Sequence, residues 1–138
     1  MPAKIYRYTK IQDDYTTYTI TEPDYQEGDK RITELCTIDG VTYITVPDGV
    51  ALPEQSEQVA ATLQEVTITD DLKAQIKSRS PHIRLINQRV VAMIRENYSV
   101  EDELKMLRLA PSPESSAWND YVEDCRAWGQ AEKAKLGL

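Results

Sequence analysis

Apolar and polar positions change their rhythm once along this chain. Up to residue 46 they fall in stretches rich in tyrosine, threonine and isoleucine that read as strands; from residue 69 they recur at helical spacing. Ile5 to Ile11 and Tyr15 to Thr21 are the first two predicted strands, joined by the turn-forming Gln12-Asp13-Asp14. Glu22 to Lys30, with Pro23 and Gly28, is a polar connector. The sharpest local signal follows, with Arg31 to Ile38 and Val41 to Val46 flanking Asp39-Gly40. An Asp-Gly pair between β-branched runs favours a two-residue turn with positive φ at both positions, which sets Ile38 opposite Val41 and Cys36 opposite Tyr43.

From Pro47 to Glu65 the pattern dissolves around Pro47, Gly49, Pro53 and the polar run from Glu54 to Gln58. So long a structureless connection is unusual inside a compact domain. Residues 47–68 are therefore expected as a linker, or as an extended arm that Val50, Leu52 and Val59 anchor on another chain. Beyond them, helix starts are written in cap chemistry: Thr69 before Asp70-Asp71, Ser80 before Pro81, Ser99 with Glu101-Asp102, and Ser112 before Pro113-Glu114. Ile83, Ile86, Val90 and Ile94 line one face of the second of these helices, with Leu85 and Met93 at its flanks. Leu104, Met106 and Leu107 lie on a short third helix that Ala110-Pro111 ends.

The last helix carries both tryptophans. Trp118, Tyr121, Val122, Cys125 and Trp128 recur three and four residues apart, so one face is aromatic and needs cover. The helix from Ile83 to Ile94 offers that cover within the chain. Gly129 marks a close helix crossing or a weak point, and Gly137 a C-terminal cap. The expected fold class is α+β: a small tyrosine-rich antiparallel β module over 1–46, the arm or linker over 47–68, and a three- or four-helix module over 69–138.

Composition narrows the function classes. The net charge of −7 is concentrated early, with 14 acids and 8 bases up to residue 80 against 9 and 8 beyond it, which argues against a nucleic-acid surface. Arg84, Arg89 and Arg95 are five and six residues apart and do not share a helix face. No apolar run is long enough for a membrane span, and Lys4, Arg7 and Lys10 break any leader-like run, so a soluble, unexported protein is expected. Cys36 and Cys125 lack metal or redox spacing and read as buried hydrophobes rather than a disulfide.

Candidate chemistry is sparse. His82 is the single histidine, and no nucleophile motif surrounds a serine or cysteine that could use it. Glu101-Asp102-Glu103 and Glu123-Asp124 read as solvated helix faces, because adjacent helical positions diverge by about 100°. The glycines at 28, 40, 49, 129 and 137 form no phosphate loop, and no calcium loop or metal cluster is present, so neither cofactor nor metal is expected. Association remains. Tyr and Trp often dominate interface energies, and the candidate partner-binding residues are Tyr6, Tyr8, Tyr15, Tyr18, Val50, Leu52, Trp118, Tyr121 and Trp128.

The stretch from Arg84 to Leu138 resembles the C-terminal part of small proteins encoded beside tail-fibre genes in bacteriophages and prophages. Tyr98 to Lys105, Tyr121 to Gly129 and Glu132 to Gly137 carry the resemblance. A β-rich half followed by an aromatic helix is also similar to tail-fibre assembly chaperones. The resemblance implies a non-enzymatic protein that helps a trimeric tail-fibre protein fold or attaches it to the tail, in the host cytoplasm during assembly or retained in the virion tail. Two other classes stay open: a self-assembling structural component of the tail or baseplate, whose partner is itself or a baseplate protein, and a small inhibitor of a host enzyme.

Overall fold

The computed structural model describes residues 3–23 and 31–138. Among them the order of elements is β1 (Lys4–Tyr8), β2 (Ile11–Gln12), β3 (Thr17–Tyr18), β4 (Thr33–Ile38), β5 (Val41–Val46), α1 (Glu57–Ala60), β6 (Gln64–Val66), α2 (Asp70–Arg79), α3 (Pro81–Asn97), α4 (Val100–Leu109) and α5 (Pro113–Lys135). The chain is α+β: an antiparallel four-stranded sheet in the order β4-β5-β1-β6 and a two-stranded ribbon of β2 and β3 precede the C-terminal helices.

The Asp39-Gly40 turn has φ of 50° and 80° at its two residues, and β4 pairs with β5 in the expected register, Ile38 to Val41 and Cys36 to Tyr43. A bulge between Glu34 and Cys36 turns both Leu35 and Cys36 into the core. β5 lies between two partners and is buried from Thr42 to Val46, so the sheet has two covered faces. One face sets Ile5, Leu35, Cys36, Ile38 and Tyr43 against Ile76 of α2, Ile83 and Ile86 of α3, and Leu136. The other sets Tyr8, Ile32, Ile44 and Val46 against Val59, with Val50, Leu52 and Leu63 packed around them.

Two expectations change here. The strands predicted over 5–11 and 15–21 do not pair along their length; only Ile11-Gln12 and Thr17-Tyr18 do. β1 is occupied on both edges, by β5 and β6. The ribbon closes on Asp13, whose carboxylate accepts the backbone N–H groups of Tyr15 at 2.9 Å and Thr16 at 2.7 Å. The stretch over 47–68 is likewise not an extended arm. It folds back over the sheet, caps α1 with Ser56, and adds β6 beside β1. Its apolar residues find cover within the chain, so no second chain is needed to order them. From residue 24 to 30 the expected polar connector lies outside the described residues.

The helices start where the cap residues stand. Thr69 accepts from the Leu72 N–H at 3.2 Å, and Ser80 from that of Ile83 at 3.4 Å. Ser99 with Asp102, and Ser112 with Ser115, form reciprocal capping boxes. α5 lies along α3, and Gly129 is the crossing point: a Cβ there would sit 2.6 Å from Val90 Cγ2. After α5, Gly137 turns the chain at φ 83° against the Ala3 carbonyl, while the Thr45 hydroxyl donates to the Leu136 carbonyl at 2.8 Å.

Candidate partner-binding surface

The residues expected to bind a partner are mostly engaged within the chain. Tyr8 is 1% exposed; its hydroxyl accepts the Ile20 N–H at 3.3 Å, and burial raises its pKa. Tyr6 and Tyr18 are half-buried against the same cluster, as are Val50 and Leu52. The tyrosine-rich face is thus the inner side of a covered sheet. Tyr15 alone among the candidates stands clear, 98% exposed at the tip of the β2–β3 ribbon.

The aromatic face of α5 is also satisfied internally. Trp128 packs on the helix-side core. The Tyr121 hydroxyl donates to the Met93 carbonyl of α3, and its ring lies 5.7 Å from that of Tyr98. Trp118 donates its indole N–H to Glu103 of α4 at 3.0 Å, and Arg95 of α3 is ion-paired with the same carboxylate. Arg95 holds the Glu103 carboxyl below its ordinary pKa, with the indole N–H adding to the effect. Glu103 therefore ties three helices together at one point.

Among the described helices, α4 is the one without a buried residue, although Val100, Leu104, Met106, Leu107 and Leu109 are apolar. Val100, Leu104 and Leu107 are 54%, 51% and 60% exposed. At 100° per residue their spacing puts all three within a wedge of about 60°, a stripe some 10 Å long. Met106 and Glu103 turn toward partial burial instead, and α4 packs against α5. The Ser99 capping box fixes the helix start and Glu103 fixes its middle, so the stripe is presented on an anchored helix. Sequence reasoning placed Leu104 and Leu107 on a helix but did not ask what covers them. Their spacing with Val100, at i, i+4 and i+7, was the available signal.

Other chemistry-bearing residues take structural places. Asp102 caps α4 and Glu123 pairs with Arg126. Cys36 and Cys125 are buried free thiols. His82 and Cys36 do line one hollow of roughly 500 Å³ with Arg79. Burial raises the Cys36 pKa, opposite to the shift that activates a nucleophilic thiol. Among the described residues no group of His, Cys, Asp and Glu could hold a metal ion, and no helix is long and apolar enough to cross a membrane.

Comparison with protein-family models, with curated proteins and with solved structures finds no match to this chain.

Proposed function

We propose that this protein is a non-enzymatic, bacteriophage tail-associated factor, a tail-fibre assembly chaperone or adaptor, which binds the fibre protein through the apolar stripe of α4. The observation that carries the reading is the stripe itself: three large aliphatic side chains half exposed on an anchored helix whose other contacts are satisfied. The resemblance of residues 84–138 to proteins encoded beside tail-fibre genes supplies the partner, a trimeric fibre protein. A chaperone of this kind covers apolar surface on unassembled fibre chains until the trimer buries it; an adaptor keeps the contact. Flanking charges frame the stripe, with Glu101 and Asp102 near the start of α4 and Lys105 and Arg108 further along, which suits docking against a helix of mixed charge.

Size speaks for a larger partner over a second copy. Three half-exposed aliphatic side chains present on the order of 300 Å², an ordinary patch, whereas a stable interface buries about 800 Å² on each side. A fibre protein can continue the contact beyond α4, which a pairing of stripe on stripe cannot.

Co-expression with the neighbouring fibre protein tests the proposal. Soluble trimeric fibre should increase and the two chains should co-purify, while Leu104→Glu, with unchanged circular dichroism and melting temperature, should abolish both effects. Equal fibre yield with and without this protein, and no co-purification, sinks the proposal. Light scattering that shows oligomers of the purified chain, dispersed by Leu104→Glu, would replace it with self-assembly.

A further inference from the structure

A second surface, independent of α4, lies along the open edge of the sheet. Among the described residues β4 is an outer strand, paired with β5 on one side only. In an antiparallel pair closed by a two-residue turn, Ile38 and Val41 exchange hydrogen bonds, so the next residue, Thr37, directs its N–H and C=O away from β5. Thr37 is exposed. α2 and α3 both approach β4, and between strand and helices runs a hollow of roughly 500 Å³.

The chemistry of that hollow is specific. Its strand side is formed by Glu34 to Thr37, and its helical wall by Arg79, Pro81, His82 and Leu85. Leu85 is 43% exposed and gives the wall an apolar patch. Arg79, in the last turn of α2, has no hydrogen-bond or ion-pair partner among the described residues. The one carboxylate on the strand side, Glu34, is held by Lys10 at 2.6 Å. A free guanidinium, an apolar contact and unpaired main-chain groups therefore face the same space. An extended chain can satisfy all three together, since strand addition supplies main-chain hydrogen bonds while alternate side chains fill the pockets.

We propose that the groove between β4 and the α2–α3 junction binds an extended, acidic peptide segment of a partner protein, which adds to the sheet as a strand beside β4. An aliphatic side chain of the segment rests on Leu85, and a carboxylate pairs with Arg79. Arg79 and the edge at Thr37 take no part in the α4 stripe, so the groove stands whether or not the fibre reading holds.

The test uses the full chain and two synthetic hexapeptides, one alternating valine with glutamate and one alternating valine with lysine. Amide chemical shifts are followed by NMR during titration. The acidic peptide is expected to bind with a dissociation constant of about 100 µM and to shift the amides of residues 34–37 and 79–85. The basic peptide should bind at least about tenfold more weakly. Thr37→Pro removes the outward N–H at an edge position that tolerates proline, and should abolish binding. Arg79→Glu, on an exposed helix end, should reverse the preference between the peptides. Equal affinity for both peptides, shifts elsewhere, no binding at millimolar peptide, or binding indifferent to Arg79→Glu overturns the proposal.

Discussion

β5 and α4 carry similar apolar side chains to opposite ends. β5 is six residues long and buried from Thr42 to Val46, because β1 and β4 pair with its edges and layers cover both sheet faces. α4 is ten residues long, carries Val100, Leu104, Met106, Leu107 and Leu109, and none of it is buried. Composition separates them in part, since β5 is uncharged and α4 carries Glu101, Asp102, Glu103, Lys105 and Arg108. The number of elements that come back over each also differs: the chain folds residues 47–63 across one face of the sheet and the helices across the other, whereas among the described residues α4 is met on one side only, by α5 and by Arg95 of α3. Apolar surface inside two layers stabilises the fold; the same kind of surface outside them is available to another molecule.

Substitutions in the two regions should differ accordingly. The largest effect belongs to the sheet: Ile44 is fully buried in the central strand, so Ile44→Ala should cost about 2–5 kcal/mol, read from the midpoint of urea unfolding. A loss under about 1 kcal/mol would mean that the layer formed by residues 47–63 is loose.

Next comes the crossing of α3 and α5. Gly129→Ala gains about 1 kcal/mol of helix propensity but drives a methyl to within 2.6 Å of a Val90 side chain whose rotamer is stiff in a helix. Overpacking of about 1–3 kcal/mol should win, giving a net loss in the same unfolding assay; a gain would show that the helices can separate without penalty.

Where α4 joins the body, the effect is smaller. Trp118→Phe deletes the hydrogen bond to Glu103 and should cost about 1 kcal/mol. Acid should remove the Glu103 contribution as well. Its folded pKa lies below the ordinary glutamate value of about 4.3, so the stabilisation is complete above that value and is lost as pH falls through the folded one. The gap in melting temperature between the wild type and Glu103→Gln should therefore be widest near neutrality and close in strong acid. A gap that does not change with pH would show that the carboxylate charge contributes nothing.

The smallest effect on stability belongs to the stripe. Leu104→Glu should change the unfolding free energy by no more than about 0.5 kcal/mol, since the side chain is already half in water. A large loss would place Leu104 in a contact that the exposed stripe does not have.

Features that depend on neighbours in sequence were legible. The Asp39-Gly40 hairpin, the caps at Thr69, Ser80, Ser99 and Ser112, and the crossing at Gly129 follow from a few adjacent residues or from the geometry of one helix. Features that depend on distant partners were not. The pairing of β1 with β6 joins residues about 60 apart and left no local mark, so residues 47–68 read as an arm. Tyr6 and Tyr8 look like a binding face until that segment is laid over them. Trp118, Tyr121 and Trp128 found cover on α3, α4 and the core, while the stripe that lacks cover sits on a helix with no aromatic residue to draw notice.

The meeting of Gly137 with Ala3 bears on the order in which the protein can be made. Ile5, in the first strand, shares its core with Leu136 and is packed by Leu138. On the ribosome the first strand emerges well before the residues that seal it. The hairpin and the helices can form on the nascent chain, but the helix-side core closes only after synthesis has passed residue 136, so the first strand waits for residues made long after it.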